Sequence, residues 1–437
     1  MSRVIPSKFM PVEDKIGADS FKQITPERVR LHPVGVSSGQ NFIPGGMSTL
    51  VFRVPCYSNS VLDTSRSFLS FNLKTSHNTL LFANGLPIFE TMTVKTSSGL
   101  VIEQITGYDV LSKLLNLVST EELYRSSEGL YGDVGDMPPV LATSLYAADG
   151  VQFTYQFNTG ILSKHLKSYL PLFLADQGSG YAFDVELTLS PPSRIMKSTT
   201  TPPPNNANYI LSNPVFNLCL LKMDNELCAK YKTSDELVLP YTTFHNHRSS
   251  VSSQSAVINI NESATNIKRV WSVFLDSTQT LTNENSLAFR GSCKDAVKVL
   301  KYNYKAGNQF LFNEAVADGI EGVVNNNLSL QYVKDALYAD ATKPLLVTMY
   351  DPTSFQTNYE SGLKNMFFTC ANWTYSPESE KGVVQGLSTS TPIQHEIEFS
   401  GTPNLQINNL VEIGYNLVIQ NGIVTYRESR PGSHTVY

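Results

Sequence analysis

The segment TLVFRVPCYSNSVLDTSRSFLSFNLK, residues Thr49–Lys74, has the pattern of two short strands joined by a polar turn. Apolar and polar side chains alternate in both strands, most clearly from Leu69 to Lys74. Successive side chains of a strand point to opposite faces, so this alternation is typical of a strand with one buried face. The segment therefore predicts two neighbouring strands of a β-sandwich.

Similar segments recur along the whole chain. The strand candidates are Ile88–Lys95, Leu100–Ile105, Val151–Phe157, Tyr181–Leu189, Tyr209–Lys222, Leu237–Phe244, Ala256–Ile260, Val270–Leu275, Val297–Tyr302, Leu345–Tyr350, Met366–Tyr375, Ile393–Phe399, Tyr415–Ile419 and Ile423–Tyr426. The last two are joined by Asn421-Gly422, a strong hairpin signal because both residues tolerate positive φ. Helical spacing is found at Tyr108–Leu117 and Asp224–Tyr231, and helix is also predicted within a long loop at Asn313–Leu337. The pattern predicts an all-β protein with short helices in loops.

A segment rich in Pro, Thr and Asn, PPSRIMKSTTTPPPNNA at 191–207, interrupts this pattern near the middle of the chain. Proline-rich segments act as semi-rigid spacers, and this one has few residues to pack. We therefore predict two tandem eight-stranded antiparallel sandwiches, at 47–192 and 208–437, joined by a linker at 193–207. Residues 1–46, broken up by prolines, are predicted to form an extended arm.

Composition limits the classes of partner. The chain has 437 residues, a formal net charge of −5 and only 16% charged residues. Its first 35 residues hold six basic and four acidic side chains, not the dense basic run of a nucleic-acid-binding tail. A surface poor in charge and a chain rich in Tyr and Phe suit packed protein interfaces, and we expect no sequence-specific nucleic-acid binding.

The cysteines indicate a reducing compartment. Five are present, widely spaced, and none forms a C-x-x-C pair. We expect buried free thiols. The sequence starts without a basic-then-apolar signal, and no run of 18 apolar residues is present. These observations predict synthesis in the cytosol or nucleus and no transmembrane segment.

Few residues suggest chemistry. His245 and His247 would share one face of a strand, as a metal site in a sheet requires, but no third ligand is predictable. We interpret the pair as a surface or interface feature. His395 and Glu396 would lie on opposite faces of a strand and could not act as a dyad.

The acidic clusters and the search for catalytic motifs provide no further candidate site. The acidic residues Glu121, Glu122, Asp133 and Asp136 fit a solvated loop better than a calcium site. No G-x-S-x-G, H-E-x-x-H or phosphate-binding glycine loop occurs. We therefore predict no enzymatic activity and no catalytic, cofactor-binding or metal-binding residue.

The opening segment, Thr49–Lys74, also resembles part of a known protein family. FRVPCYSNSVLDTSRSFLSFNLK, Phe52–Lys74, resembles the start of double jelly-roll major capsid proteins of the Polinton, Polinton-like virus, adintovirus and virophage group. Their D-x-S-x-(S/T)-(Y/F)-L pattern is matched by Asp63, Ser65, Ser67, Phe68 and Leu69. Later segments that look like successive parts of the two jelly rolls are Tyr169–Leu189, Tyr209–Tyr231, Asn266–Asp276, Gly386–Phe399 and Ile413–Ser429. Arg66 fits a buried turn anchor as well as an intersubunit contact.

The resemblance implies a structural role. Three subunits of two jelly rolls each would form a pseudo-hexameric homotrimer, and such trimers would tile an icosahedral shell around double-stranded DNA. The partners would be neighbouring capsomers, penton proteins and minor or cement capsid proteins, and the location would be the virion. The arm would run under or between neighbouring capsomers.

Two other classes of function stay open from the residues alone. A secreted β-sandwich adhesin or carbohydrate-binding protein would have a signal peptide, paired cysteines or exposed aromatic platforms. A metal-dependent β-barrel enzyme would need two histidines and a carboxylate meeting in one barrel, and only His245 and His247 offer a start.

Overall fold

The computed structural model describes most of the chain. The described residues are 25–36, 39–82, 86–119, 144–166, 168–175, 180–232, 236–281, 287–292, 295–312, 314–317, 319–320, 323–324, 329, 332–333, 367–373, 387–389, 391–420 and 422–428. The predicted strand Leu345–Tyr350 and the acidic residues between 121 and 136 lie outside them.

Strands dominate the described residues, and short helices lie between them, including a 3-10 helix at Leu172–Leu174. The strands up to the middle of the chain are β1 (Thr25–Leu31), β2 (Thr49–Pro55), β3 (Ser60–Thr75), β4 (Leu80–Phe82), β5 (Phe89–Thr96), β6 (Val101–Thr106), β7 (Val151–Tyr155), β8 (Tyr181–Leu189), β9 (Met196–Ser198) and β10 (Tyr209–Lys222). The α-helices are α1 (Tyr108–Ser119), α2 (Pro192–Ile195) and α3 (Asn225–Lys232). The two segments with helical spacing, near α1 and α3, are confirmed as helices.

The strands of the second half are β11 (Leu237–Val251), β12 (Ser255–Ile260), β13 (Ala264–Asp276), β14 (Val299–Ala306), β15 (Gln309–Phe310), β16 (Val316–Ala317), β17 (Gly319–Ile320), β18 (Val323–Val324), β19 (Phe368–Asn372), β20 (Leu387–Thr389), β21 (Ile393–Phe399), β22 (Leu405–Gln420) and β23 (Ile423–Glu428). The predicted hairpin is confirmed, because β22 and β23 pair with Gln420 opposite Ile423.

The second half forms two facing sheets with a nested order. One sheet runs β11-β22-β13-β19 and the other β12-β21-β14-β15. The first strand of this half, β11, therefore pairs with β22, the long strand near the end of the chain. The second strand, β12, pairs with β21, which directly precedes β22. This wrapping of the chain between two antiparallel sheets is the jelly-roll arrangement.

The first half repeats the nesting. In one sheet, the order β2-β8-β5-β6 places β2, the first strand of this jelly roll, beside β8. In the other sheet, β3 pairs with β7. The alternation from Tyr181 to Leu189 explains β8, since Phe183, Val185 and Leu187 are buried while Asp184 and Glu186 are not. Tyr181 is only half-buried, and its ring lies under the Arg53 guanidinium.

The pairing of β10 corrects one prediction. Tyr209–Lys222 was expected to open the second jelly roll, but it pairs along its length with β3 of the first. Its other edge pairs with β1, so residues 25–31 of the predicted arm are part of the same sheet. Apolar side chains on both faces of β10 allow it to extend that sheet, with the irregularity expected at Pro214 falling between Ser212 and Val215. The described strands of the second jelly roll begin at Leu237.

The predicted linker is also partly ordered. Residues 193–207 were expected to lack packed structure, yet α2 and β9 occupy the start of this segment, and β9 pairs with β4. The reason is an apolar pair within the polar sequence: Ile195 and Met196 are fully buried. Pro192 is compatible with the first turn of a helix, because the amide it lacks has no partner there.

The cores of both halves follow the alternation. Apolar side chains of the alternating strands are buried, among them Phe52, Phe71, Phe183, Val185, Leu187, Trp271, Leu417 and Ile419. Cys219, Cys228 and Cys370 are buried free thiols, as predicted, whereas Cys56 is only half-buried and Cys293 lies outside the described residues. Among the described residues, no helix has the length and hydropathy needed to cross a membrane.

Candidate functional site

The two jelly rolls meet where β6 of the first lies beside β11 of the second. The Tyr241 hydroxyl donates to the Ile102 carbonyl at 3.3 Å, and the Asn246 amide donates to the Thr106 carbonyl at 3.1 Å. The Gly160 amide donates to the Thr242 carbonyl at 3.0 Å. Directed hydrogen bonds therefore join the two domains along one strand.

A carboxyl group is enclosed in this junction. Glu103 of β6 is only 3% exposed, and its Oε2 accepts a hydrogen bond from the Ile161 amide at 3.1 Å. Its Oε1 has no hydrogen-bond partner among the described residues. Burial raises the pKa of Glu103 to about 7, although the Thr243 hydroxyl, the Ile161 amide and His245 act in the opposite direction.

Glycine at position 160 makes this enclosure possible. Gly160 has a φ of +81°, in the left-handed region, and a Cβ at this position would lie 2.2 Å from the Glu103 Oε2. The chain can therefore close over the carboxyl only because residue 160 has no side chain.

The histidine pair of β11 lies at the edge of the same junction. His245 Nδ1 and His247 Nε2 lie 2.9 Å and 3.1 Å from the same oxygen, Oε2 of Glu262. Burial by itself raises the pKa of Glu262, but the hydrogen bonds from both imidazoles outweigh it and bring the pKa to about 2. The expected common face of the two histidines is confirmed.

The carboxylate partner of these histidines was not predicted from sequence. Glu262 follows β12, and the short turn between β11 and β12 brings the chain back toward His245. That reversal is the signal that could have identified it. Among the described residues, no three His, Cys, Asp or Glu side chains are arranged to hold a metal ion.

A second polar cluster closes the junction beside α1. Arg194 pairs with Asp109 at 2.9 Å and with Glu90 at 3.2 Å, and Arg248 of β11 reaches Glu90 at 4.0 Å. Burial raises the pKa of Asp109 to about 6, against the effect of Arg194. Arg248 thus contributes a charge from the second jelly roll to a cluster of the first.

The polar turn predicted in the opening segment is an irregular stretch within β3, at 63–67, where the register with β10 shifts, and Asp63 organises this stretch. Its side chain is buried and accepts a hydrogen bond from the Ser65 amide at 3.0 Å. The Ser67 hydroxyl donates to the Asp63 carbonyl at 2.7 Å and accepts from the Cys219 amide at 3.0 Å. The Arg66 side chain is 62% exposed, whereas the Asp63 side chain is buried. Asp63, and not Arg66, is therefore the buried anchor of this stretch of β3.

No family model and no curated protein matches the chain. The cryo-EM structure of the Sputnik virophage matches with a TM-score of 0.58, covering 93% of this chain and 88% of the matched chain at 11% identity. The capsid of the virus PBCV-1 gives a TM-score of 0.58, with coverages of 94% and 98% at 10% identity. The mavirus major capsid protein gives 0.50, with coverages of 98% and 96% at 8% identity.

The chain has the double jelly-roll fold. The match extends over nearly the full length of each chain, so both jelly rolls and their order are shared. At identities this low, the likeness concerns the fold.

Within this double jelly roll, His395 is a core residue. Its ring is fully buried and stacks on Tyr304 with centroids 4.2 Å apart, and its Nδ1 lies 3.0 Å from the Asn409 Oδ1. Burial lowers the pKa of His395 to about 3, so the imidazole is neutral at ordinary pH. Glu396 lies on the other face of β21, as predicted, and the two residues form no dyad.

Proposed function

We propose that this chain is the major capsid protein of an icosahedral double-stranded DNA virus. The observation that carries the proposal is the likeness in fold over more than nine-tenths of the chain to capsid chains of PBCV-1 and mavirus. The matches also cover nearly all of those chains, so the same pair of jelly rolls makes up almost the whole of each.

The proposed building block is a homotrimer. Each chain supplies two jelly rolls, so three chains supply six similar units and can form a pseudo-hexameric capsomer. A capsomer of this outline can tile a shell through contacts with six neighbours. A threefold ring of this kind forms when two different surfaces of one chain are complementary and the rotation between neighbouring subunits closes.

The surface is suited to such contacts. The chain has 16% charged residues. Several large apolar side chains are exposed in the single chain, and those on described strands are Val101, Val257, Phe310, Ile423 and Tyr426. Protein interfaces are poor in charge at their centres and rich in aromatic residues, so burial of these side chains between subunits would stabilise a capsomer.

The remaining parts of the proposal concern location and partners. The protein would reside in the virion after synthesis in the host cytoplasm or nucleus, without enzymatic activity. Its partners would be neighbouring capsomers, penton proteins and minor or cement capsid proteins. The segment before β1 would contact adjacent capsomers.

The mass of the purified protein tests the proposed trimer. We expect size-exclusion chromatography with light scattering to give three times 48.3 kDa across a range of protein concentrations. A chain that stays monomeric at all concentrations would contradict the proposal, as would a stable dimer.

A further inference from the structure

The junction of the two jelly rolls holds a carboxyl group that forms no ion pair with any described residue. Glu103 projects from β6, and the 157–161 segment closes over it through the Ile161 amide and the backbone of Gly160. The third wall is β11, where Thr243 is also buried. The Thr243 hydroxyl faces the Glu103 carboxyl from this wall, and neither the Thr243 Oγ1 nor the Glu103 Oε1 has a hydrogen bond of good geometry among the described residues.

The groups around Glu103 offer little compensation for a negative charge. Tyr108 of α1 and Tyr241 of β11 are neutral, since burial raises both pKa values well above the usual range. His245 of β11 acts on the carboxyl electrostatically, but its Nδ1 is hydrogen bonded to Glu262.

Two further basic side chains lie nearby and are also engaged. His247 Nε2 is hydrogen bonded to the same Glu262 oxygen as His245. Lys268 of β13 donates to the Thr242 hydroxyl at 2.6 Å, on the neighbouring residue of β11. A buried carboxylate without a dedicated cation is unfavourable, whereas a neutral carboxyl in the same place is tolerated.

We propose that Glu103 is a proton-operated latch between the two jelly rolls. The protonated carboxyl holds β6 and the 157–161 segment against β11, and its ionisation loosens that contact. The latch is a property of the double jelly roll itself and does not depend on the proposed capsid function.

The direction of the pH dependence follows from the pKa of Glu103, which is about 7 in the folded protein and about 4.5 when the chain is unfolded. Below pH 4.5 both states hold the proton, so the carboxyl has no effect on stability. Between these values the folded state alone keeps the proton, so stability falls as pH rises. The unfolding equilibrium constant increases by up to about tenfold for each pH unit in this range.

Glu103→Gln tests the latch, because glutamine keeps the shape and cannot ionise. Thermal unfolding of the full-length protein is measured between pH 5 and pH 8.5. We expect the variant and the wild type to melt within about 1–2 °C of each other at pH 5, and the variant to melt about 5 °C higher at pH 8. Glu398→Gln, at a side chain that is 42% exposed, is the matched control and should show no such divergence. Parallel melting curves for wild type and Glu103→Gln across this range would overturn the proposal.

Hydrogen exchange measured by mass spectrometry locates the effect. After correction for the intrinsic pH dependence of exchange, peptides from β6, β11 and 157–161 should lose protection between pH 6 and pH 8 in the wild type and keep it in Glu103→Gln. Loss confined to other regions would contradict the latch. If Glu103→Gln does not fold, Thr243→Val serves instead, because removal of the hydroxyl that favours the ionised form should steepen the loss above pH 6. An unchanged slope in Thr243→Val would equally overturn the proposal.

Discussion

At the scale of single residues, the D-x-S-x-S stretch separates into an anchor and an exposed side chain. Asp63 is buried and accepts hydrogen bonds from the amide and hydroxyl of Ser65. Arg66 contacts Asp63 only at 3.6 Å and is mostly in solvent, while its carbonyl accepts from Arg28 of β1. The Arg66 carbonyl, more than the Arg66 side chain, therefore connects β3 to β1.

Asp63→Ala and Arg66→Ala should differ sharply in stability. Asp63→Ala leaves the Ser65 amide without its acceptor next to a buried site, and we expect a loss of about 1–3 kcal/mol in the free energy of unfolding. Arg66→Ala should cost less than about 0.5 kcal/mol, because exposed ion pairs contribute little and the Arg66 carbonyl is retained. Denaturant unfolding of both variants checks this, and equal losses would show that Asp63 is not the anchor.

His395 should make the protein sensitive to acid. Its pKa is about 3 when buried and near 6.5 when the chain is unfolded. Below pH 6.5 the unfolded chain binds a proton that the folded protein excludes, so stability falls as pH decreases toward 3. His395→Phe removes this dependence but loses the hydrogen bond to Asn409, and we expect it to be about 1–3 kcal/mol less stable at pH 7.5.

The difference between wild type and His395→Phe should therefore shrink as pH is lowered from 7.5 to 4.5. Unfolding measured at several pH values gives this difference directly, and other titrating groups cancel because both proteins contain them. His77→Phe, at a partly exposed imidazole of the loop after β3, is the control and should show no such convergence. A difference that does not change with pH would refute the assignment of a neutral buried His395.

At the scale of elements, a strand with one polar face is readily recognised from its sequence. The segments Tyr181–Leu189 and Ile393–Phe399 were predicted with their observed ends. The long strand β22 was recognised only from Tyr415, because Asn408, Asn409 and Glu412 obscure its earlier half. These polar side chains are buried, and their partners on other strands cannot be read from local alternation.

Glu412 illustrates the importance of those partners. Its Oε2 lies 3.4 Å from an Arg269 guanidinium nitrogen and accepts from the Trp271 indole at 3.1 Å, with both charged side chains nearly buried. Glu412→Ala leaves Arg269 as an uncompensated charge, and we predict a loss of about 3–5 kcal/mol in the free energy of unfolding. The double variant Arg269→Met, Glu412→Leu should recover much of that loss. A double variant no more stable than Glu412→Ala would contradict this account.

The pairing of β10 shows what alternation leaves undetermined. Its strand character was predicted from sequence, but its neighbours were not, because a segment with apolar residues on both faces fits either jelly roll. The pairing with β1 places residues 25–31 beside a strand nearly 200 positions later in the chain. Contacts of this sequence separation are set by tertiary packing, for which the local pattern carries no signal.

At the scale of the whole molecule, the order of segments predicted two β-sandwiches in series, and the resemblance to capsid proteins implied that these were jelly rolls. The alternation, the interruption near residue 200 and the restart of strands after it are properties of the sequence, and the nested sheets agree with them. The polar contacts of the junction were not predictable. Glu103 looks like any surface glutamate until β11, Ile161 and Gly160 are placed around it.

The central proposal is that this double jelly roll is a capsid subunit. Electron microscopy of the purified full-length protein tests this proposal most directly. We predict particles with threefold symmetry and a hexagonal outline, which associate edge to edge into sheets or closed shells when the protein is concentrated. Isolated particles of single-chain size, with no threefold assembly at any concentration, would contradict the account.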